Sequence, residues 1–252
     1  MADDRQKIYR STSDLAPEDI RGLYDGFNSP IAELDCGKMC APHNPSGKPF
    51  CCDICHAVPA AYKSEWKYLE PSTDLWHKWR GDECEENAAD VAQLRADTPK
   101  NMILLACLGP SQCQRDFRAL SCRQFPFFPY VTSEYRFLGL AYEWQFEGTC
   151  WVISNLGRVT ATYREEFVRT YDRLFALFQG EFEQYAYHSQ RMREHFIQQK
   201  RRFPLLHRNG TAYLVSPQSE RLRRVDAERL PRFGFYRQPK APLHAVHFPS
   251  QP

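Results

Sequence analysis

Cys36-Gly-Lys-Met-Cys40-Ala-Pro-His-Asn-Pro-Ser-Gly-Lys-Pro-Phe-Cys51-Cys52-Asp-Ile-Cys55 is the stretch on which the reading of this chain turns. It is answered about fifty residues later by Cys107-x5-Cys113-x8-Cys122. Eight of the ten cysteines fall in these two windows. A core in need of small apolar groups would scatter them. Clustered at ligand-like spacings, the sulfurs are placed to converge, and converging thiolates bind soft metals such as zinc, copper(I) or the irons of an iron–sulfur cluster.

The 252 residues, 42% of them apolar and 14% aromatic, suffice for a buried core, so the fold does not depend on disulfide staples. Met1 to Ser13 is polar and holds no apolar stretch of the export type, which predicts a cytoplasmic protein. The longest wholly apolar run, Met102 to Leu108, is too short to span a bilayer, so no membrane partner is expected. In a reducing compartment clustered cysteines favour metal binding or redox chemistry over structural disulfides, although an even cysteine count leaves disulfides open. Cys84 and Cys150 have no clustered neighbours and read as core or surface thiols.

The pattern predicts an α+β fold. Residues 1–30 form a lead-in in which Ser13-Asp14 followed by Leu15-Ala16-Pro17-Glu18-Asp19-Ile20 reads as a helix start, the helix ending near the turn-formers Gly26 to Pro30. Residues 31–155 form a loop-rich cysteine-cluster region of short helices and strands. Within it, Pro59–Leu69 and Glu83–Arg95 read as helices, and Asn101–Leu108, Tyr135–Phe146 and Trp151–Ser154 as strands. Residues 156–252 hold a helical hairpin near 163–200 and a β-hairpin turning at Asn209-Gly210. The hairpin helices carry the stripes Phe167, Tyr171, Leu174, Phe178 and Phe182, Tyr185, Met192, Phe196, broken at Gly180. No Gly/Ser/Pro linker separates the halves, so one shared core is expected.

Seven cysteines then carry a resemblance. Cys36 and Cys40 give an opening Cys-x3-Cys pair, Cys51-Cys52 a double cysteine, and Cys107, Cys113 and Cys122 the later positions. Cys122-Arg123-Gln124-Phe125-Pro126 closes with Cys-Arg-x-Phe-Pro, and Arg118 stands where an Arg-Pro arginine is found. Over residues 36–130 this resembles the YkgJ-like cysteine-cluster family, described as zinc- or iron-chelating. The chain departs from that pattern in a gap of ten residues before the double cysteine, in Ala119 for proline, and in Gln114-Arg115 for an apolar-aromatic pair. The resemblance implies metal or cluster binding and no particular reaction.

Seven sulfurs exceed the four that one tetrahedral zinc or one [4Fe–4S] cluster takes. Either two metals are held, or some cysteines act as outer-shell or redox partners. Arg118 and Arg123 read as donors to cluster sulfurs or as surface cations, and His43 and His56 as neighbours able to ligate. Cys52-Asp-Ile-Cys55 is a CxxC without the βαβ setting of a thioredoxin-type motif.

Charge is divided along the chain. Residues 1–150 hold 16 Lys/Arg against 22 Asp/Glu, and residues 151–252 hold 17 against 9. The basic run Arg191–Arg202, with Phe196 and Phe203 interleaved, reads as a phosphate-and-stacking surface or as the solvated face of a helix. No Gly-x-Gly-x-x-Gly, Walker, Gly-x-Ser-x-Gly or His-Glu-x-x-His motif occurs, and no catalytic residue can be named. The expected function is a metal-binding protein with an iron–sulfur cluster or zinc, with a possible redox role. The alternative is a structural zinc module whose residues 191–240 meet nucleic acid or an acidic protein.

Overall fold

The computed structural model describes residues 11–84 and 88–237. Residues 1–10, residues 85–87 within the expected 83–95 helix, and the tail beyond residue 237 lie outside it.

The fold is α+β, built on two antiparallel sheets. Helix α1, Pro17–Asp25, starts on proline, and Asp19 reaches back to accept the Ala16 N–H at 3.1 Å. Its buried Ile20, Leu23 and Tyr24 face the core. Helix α2, Cys36–Cys40, is a single turn capped by Asp35, which accepts the N–H groups of Gly37 and Lys38.

The expected 59–69 helix is split. Ala60–Tyr62 is strand β1, and helix α3 runs Lys63–Ser72, because Ala60, Ala61 and Tyr62 pair with Leu104, Ile103 and Met102. Strand β2, Trp76–Lys78, pairs with the other edge of β3, Met102–Cys107, so the first sheet runs β1-β3-β2. Helix α4 covers Ala88–Asp97, and residues 83–84 are not helical. Its Val91 and Leu94 pack with Trp79, Leu104 and Ala106 in a small satellite core.

Helix α5, Leu120–Gln124, leads into strand β4, Phe127–Val131, which alternation did not reveal because all five of its residues are buried. Pro129 is tolerated there because β4 is an edge strand. A meander follows through β5 (Phe137–Tyr142), β6 (Phe203–His207), β7 (Ala212–Val215) and the unexpected β8 (Leu222–Val225), in spatial order β4-β5-β6-β7-β8. The β6–β7 turn takes three residues, 208–210, and only Gly210 adopts positive φ (87°); Asn209 does not. Trp151–Ser154 is not a strand. It leads into a 3₁₀ segment over Ile153–Arg158 whose side chains are largely buried.

Helices α6 (Ala161–Leu177) and α7 (Gln179–Gln198) form the expected hairpin. The break falls at extended Phe178, and Gly180 lies inside α7. Phe167, Tyr171, Leu174, Phe178, Met192 and Phe196 are buried, while Phe182 and Tyr185 are partly exposed. One apolar cluster runs from Leu15 to Phe233 and joins the cysteine region to the helical hairpin and the larger sheet. No helix among the described residues is long and apolar enough to cross a membrane.

Candidate metal centre

Each cysteine is delivered by a short element with its own stabilisation. One turn of α2 sets Cys36 and Cys40 on the same helix face, four residues apart. The ten-residue insert that follows is tied to Asp53: its carboxylate accepts from Ser46 Oγ at 2.7 Å, Asn44 Nδ2 at 3.0 Å and the Cys55 N–H at 3.2 Å. That loop returns the chain to a 3₁₀ turn, Phe50–Cys52, anchored by buried Phe50. Cys107 ends β3 opposite Trp76. Gly109, at φ 97°, turns the chain toward Cys113. Cys122 sits in the middle of α5.

These elements meet around one cavity of about 1130 Å³. Cys36, Cys51, Cys52, Cys107, Cys113 and Cys122 line it, with Arg118 beside them. Cys40, the seventh expected residue, lies behind the wall; its thiol donates to the Gly37 carbonyl at 3.6 Å and remains within electrostatic reach of Cys52. The sulfurs of Cys51 and Cys52 are 3.9 Å apart.

The two arginines differ. Arg118 donates through Nε to the sulfur of Cys113 at 3.0 Å. Arg123 gives nothing to sulfur. Its guanidinium bonds the carbonyls of Arg118, Arg115, Asp116, Phe27 and Tyr24 at 2.7–3.1 Å, and lies 4.2 Å from the Tyr24 ring. It fixes the 115–118 loop to the end of α1 and so holds Arg118 and Cys122 in place. Glu65 adds a second tie: its carboxylate accepts the Tyr24 hydroxyl at 2.6 Å and the Leu120 N–H at 2.7 Å, joining α3, α1 and α5. Neither role has a signature in cysteine spacing.

One expectation is corrected. Cys84 is not a free thiol: it forms a disulfide with Cys55. Cys150 is a free, half-buried thiol packed against the main core, as expected. His43 stacks on Phe235 at 4.7 Å, away from the cavity, while His56 lines it and faces Asp53 at 3.9 Å.

Burial decides the protonation of most of these thiols. It pushes Cys36 up to about 11 and Cys150 up to about 12, and raises Cys40, Cys107 and Cys122. The hydrogen bond with Cys52 raises Cys51, with burial adding to it. Cys52 goes the other way, to about 7, because Cys51 donates to it and Arg118 lies close. Most of these thiols therefore stay neutral at pH 7 unless a cation enters among them.

The basic run does not form a stacking surface. Phe196 and Phe203 are fully buried, Arg193 is paired with Glu220 at 3.0 Å, and Arg201 is paired with Glu147. Arg191, Lys200 and Arg202 of the run are exposed, as are Arg221, Arg223 and Arg224 on and beside edge strand β8.

Among the described residues, no three or more histidine, cysteine or carboxylate side chains are already arranged to hold a metal ion. A tetrahedral zinc with 2.3 Å bonds sets its sulfurs about 3.8 Å apart. The Cys51–Cys52 pair stands at that spacing. A polynuclear cluster, whose own atoms fill the space between ligands, suits a more open ring of sulfurs.

No family model matches the chain, and no match is found among curated proteins or solved structures.

Proposed function

We propose that this protein binds a metal through its clustered cysteines, with an iron–sulfur cluster ahead of zinc. The observation that carries this reading is the meeting of Cys36, Cys51 and Cys52 with Cys107, Cys113 and Cys122 around one cavity, from stretches far apart in sequence. The donor set fits: six soft sulfurs, and a guanidinium on Cys113 that offsets thiolate charge. Ser121 Oγ adds support. It is buried without a partner among the described residues, and Ser121 lines the same cavity. Such orphans are uncommon, and a polar occupant gives the hydroxyl a partner.

Cys36, Cys51, Cys52, Cys107, Cys113 and Cys122, which line the cavity, and Cys40, the seventh cysteine of the pattern, are the proposed ligand pool. An iron–sulfur cluster supplies one-electron chemistry when bound, whereas zinc supplies a cross-link. Arg118 neutralises charge at Cys113, and Arg123 and Glu65 hold the loops that present the sulfurs. The YkgJ-like resemblance agrees with this reading on cysteine spacing. Anaerobic purification followed by metal and sulfide analysis and a visible spectrum tests it. Brown protein with iron and sulfide is expected; colourless zinc protein moves the reading to the structural alternative, and metal-free folded protein removes both.

The second reading, a zinc module with a basic partner surface, draws on exposed Arg221, Arg223 and Arg224. Binding to single-stranded nucleic acid that falls steeply with salt supports it, and absence of binding at low salt removes it.

A further inference from the structure

Strand β8 ends the larger sheet. It pairs with β7 along one edge, and no described strand pairs with the other. The pairing holds one register throughout, with Val215, Leu214, Tyr213 and Ala212 opposite Leu222, Arg223, Arg224 and Val225. Just before it, the Ser216 N–H is bonded to the Arg221 carbonyl at 3.0 Å. Bonded and non-bonded pairs alternate along an antiparallel ladder, so Arg223 and Val225 turn their N–H and C=O groups to β7, and Leu222 and Arg224 turn theirs outward. The outer edge therefore offers donors and acceptors at the spacing that another strand takes up.

The side chains along this edge are basic. Arg221, Arg223 and Arg224 are exposed, and none is in an ion pair among the described residues. Nearby acids are engaged elsewhere: Glu220 with Arg193 at 3.0 Å, and Asp226 with Arg229 and Glu228 with Arg158, each at 3.8 Å. Arg221 and Arg223 leave one face of the ribbon, Leu222 and Arg224 the other. Leu222 is 37% exposed.

Edge charges often serve only to keep other strands away, usually together with a bulge, a proline or a cover. Strand β8 has no register shift and no proline, and Leu222 offers apolar surface to a neighbour. The arginines thus select rather than bar. A second copy laid edge to edge would set arginine against arginine, which is destabilising. Nucleic acid fits poorly: carbonyls along the edge repel phosphate, and Tyr213, the only aromatic residue of β7 and β8, is half-buried. An acidic strand satisfies backbone and side chains together.

We propose that β8 is a docking edge for an extended acidic segment of a partner protein, which joins the five-stranded sheet as a further antiparallel strand. It sets acidic residues opposite Arg221, Arg223 and Arg224 and an apolar residue opposite Leu222. The proposal needs no metal, and it gives these arginines a peptide partner in place of nucleic acid.

The test follows a fluorescein-labelled Thr-Glu-Glu-Val-Glu-Thr peptide by anisotropy against the full-length chain at low salt. Saturable binding is expected. Lysine in place of the glutamates, or N-methyl groups on alternate backbone amides, is expected to abolish it. The triple variant Arg221→Glu, Arg223→Glu, Arg224→Glu is expected to bind the acidic peptide at least about tenfold more weakly and to gain affinity for the lysine peptide. The peptide controls need no variant to fold. No binding of the acidic peptide leaves the arginines as guards of the edge and overturns the proposal. Binding that survives N-methylation reduces the contact to charge alone and overturns strand addition. Oligothymidylate that displaces the peptide assigns the arginines to nucleic acid, and a parent dimer that the triple variant loses assigns the edge to a second copy; either result overturns the proposal as well.

Discussion

The Nε–H of Arg118 points at the sulfur of Cys113, 3.0 Å away, and this is the one direct bond between a cation and a cysteine among the described residues. The contact strengthens as Cys113 gains thiolate character, because a charge-assisted bond is roughly twice as strong as a neutral one. Arg118→Gln removes the charge while keeping a polar side chain. We expect metal affinity to fall about 10- to 100-fold, the usual effect of losing an outer-shell partner. Competition with a chelator measures it; an unchanged affinity assigns Arg118 to loop structure alone.

Arg123 should behave differently. Its substitution takes a donor from five backbone carbonyls at the junction of α1 and the 115–118 loop, of which only those of Tyr24 and Arg115 keep a backbone N–H, from Phe27 and Arg118. Arg123→Met is expected to cost about 3 kcal/mol or more in urea unfolding, and lysine should not rescue it, since a point ammonium cannot reach acceptors spread around a planar fork. A variant that unfolds like the parent would contradict this role.

The Cys55–Cys84 disulfide closes a span of 29 residues. Chain-entropy arguments put its contribution at about 3–4 kcal/mol. Cys84→Ser should therefore lower the unfolding free energy by that order while leaving metal content at the parental level. Loss of metal in Cys84→Ser would place this pair within the metal site.

Glu220 gives the larger sheet a pH dependence. Burial pushes its carboxyl up, but the bonds from Ser133 and Tyr130, together with Arg193 at 3.0 Å, outweigh burial and hold it below its ordinary value. A carboxylate whose folded pKa is depressed stabilises the fold fully above its unfolded value, about 4.3, and that contribution fades as pH falls through the folded value. Glu220→Gln should cost about 1 kcal/mol at pH 7. Stability curves of parent and variant should converge as pH drops below about 4. A constant separation down to pH 3 would contradict the assignment.

Much of this was legible in the sequence, and the misses have physical causes. Strong 3.6-residue stripes announced α6 and α7, because Phe167, Tyr171 and Leu174 had one face to fill. Strand β4 escaped notice because its five buried residues show no alternation. Strand β1 was taken into the following helix because Ala60 and Ala61 suit either state until β3 pairs with them. At the site, clustering exposed the cysteines whose partners are near in sequence. The disulfide of Cys84 was missed because Cys84 meets Cys55 only through tertiary structure, and a lone cysteine in a sequence carries no sign of that.

The most direct measurement is the metal content of Cys122→Ser beside that of the parent and of Cys84→Ser, all purified anaerobically. Cys122 is half-buried, comes from the later stretch, and lines the cavity with Cys52, Cys107 and Cys113. The account expects Cys122→Ser to lose at least half of the parental metal and Cys84→Ser to lose none. Full parental metal in Cys122→Ser would mean that the second stretch holds no part of the site, and the convergence of the two stretches would have no bearing on metal binding.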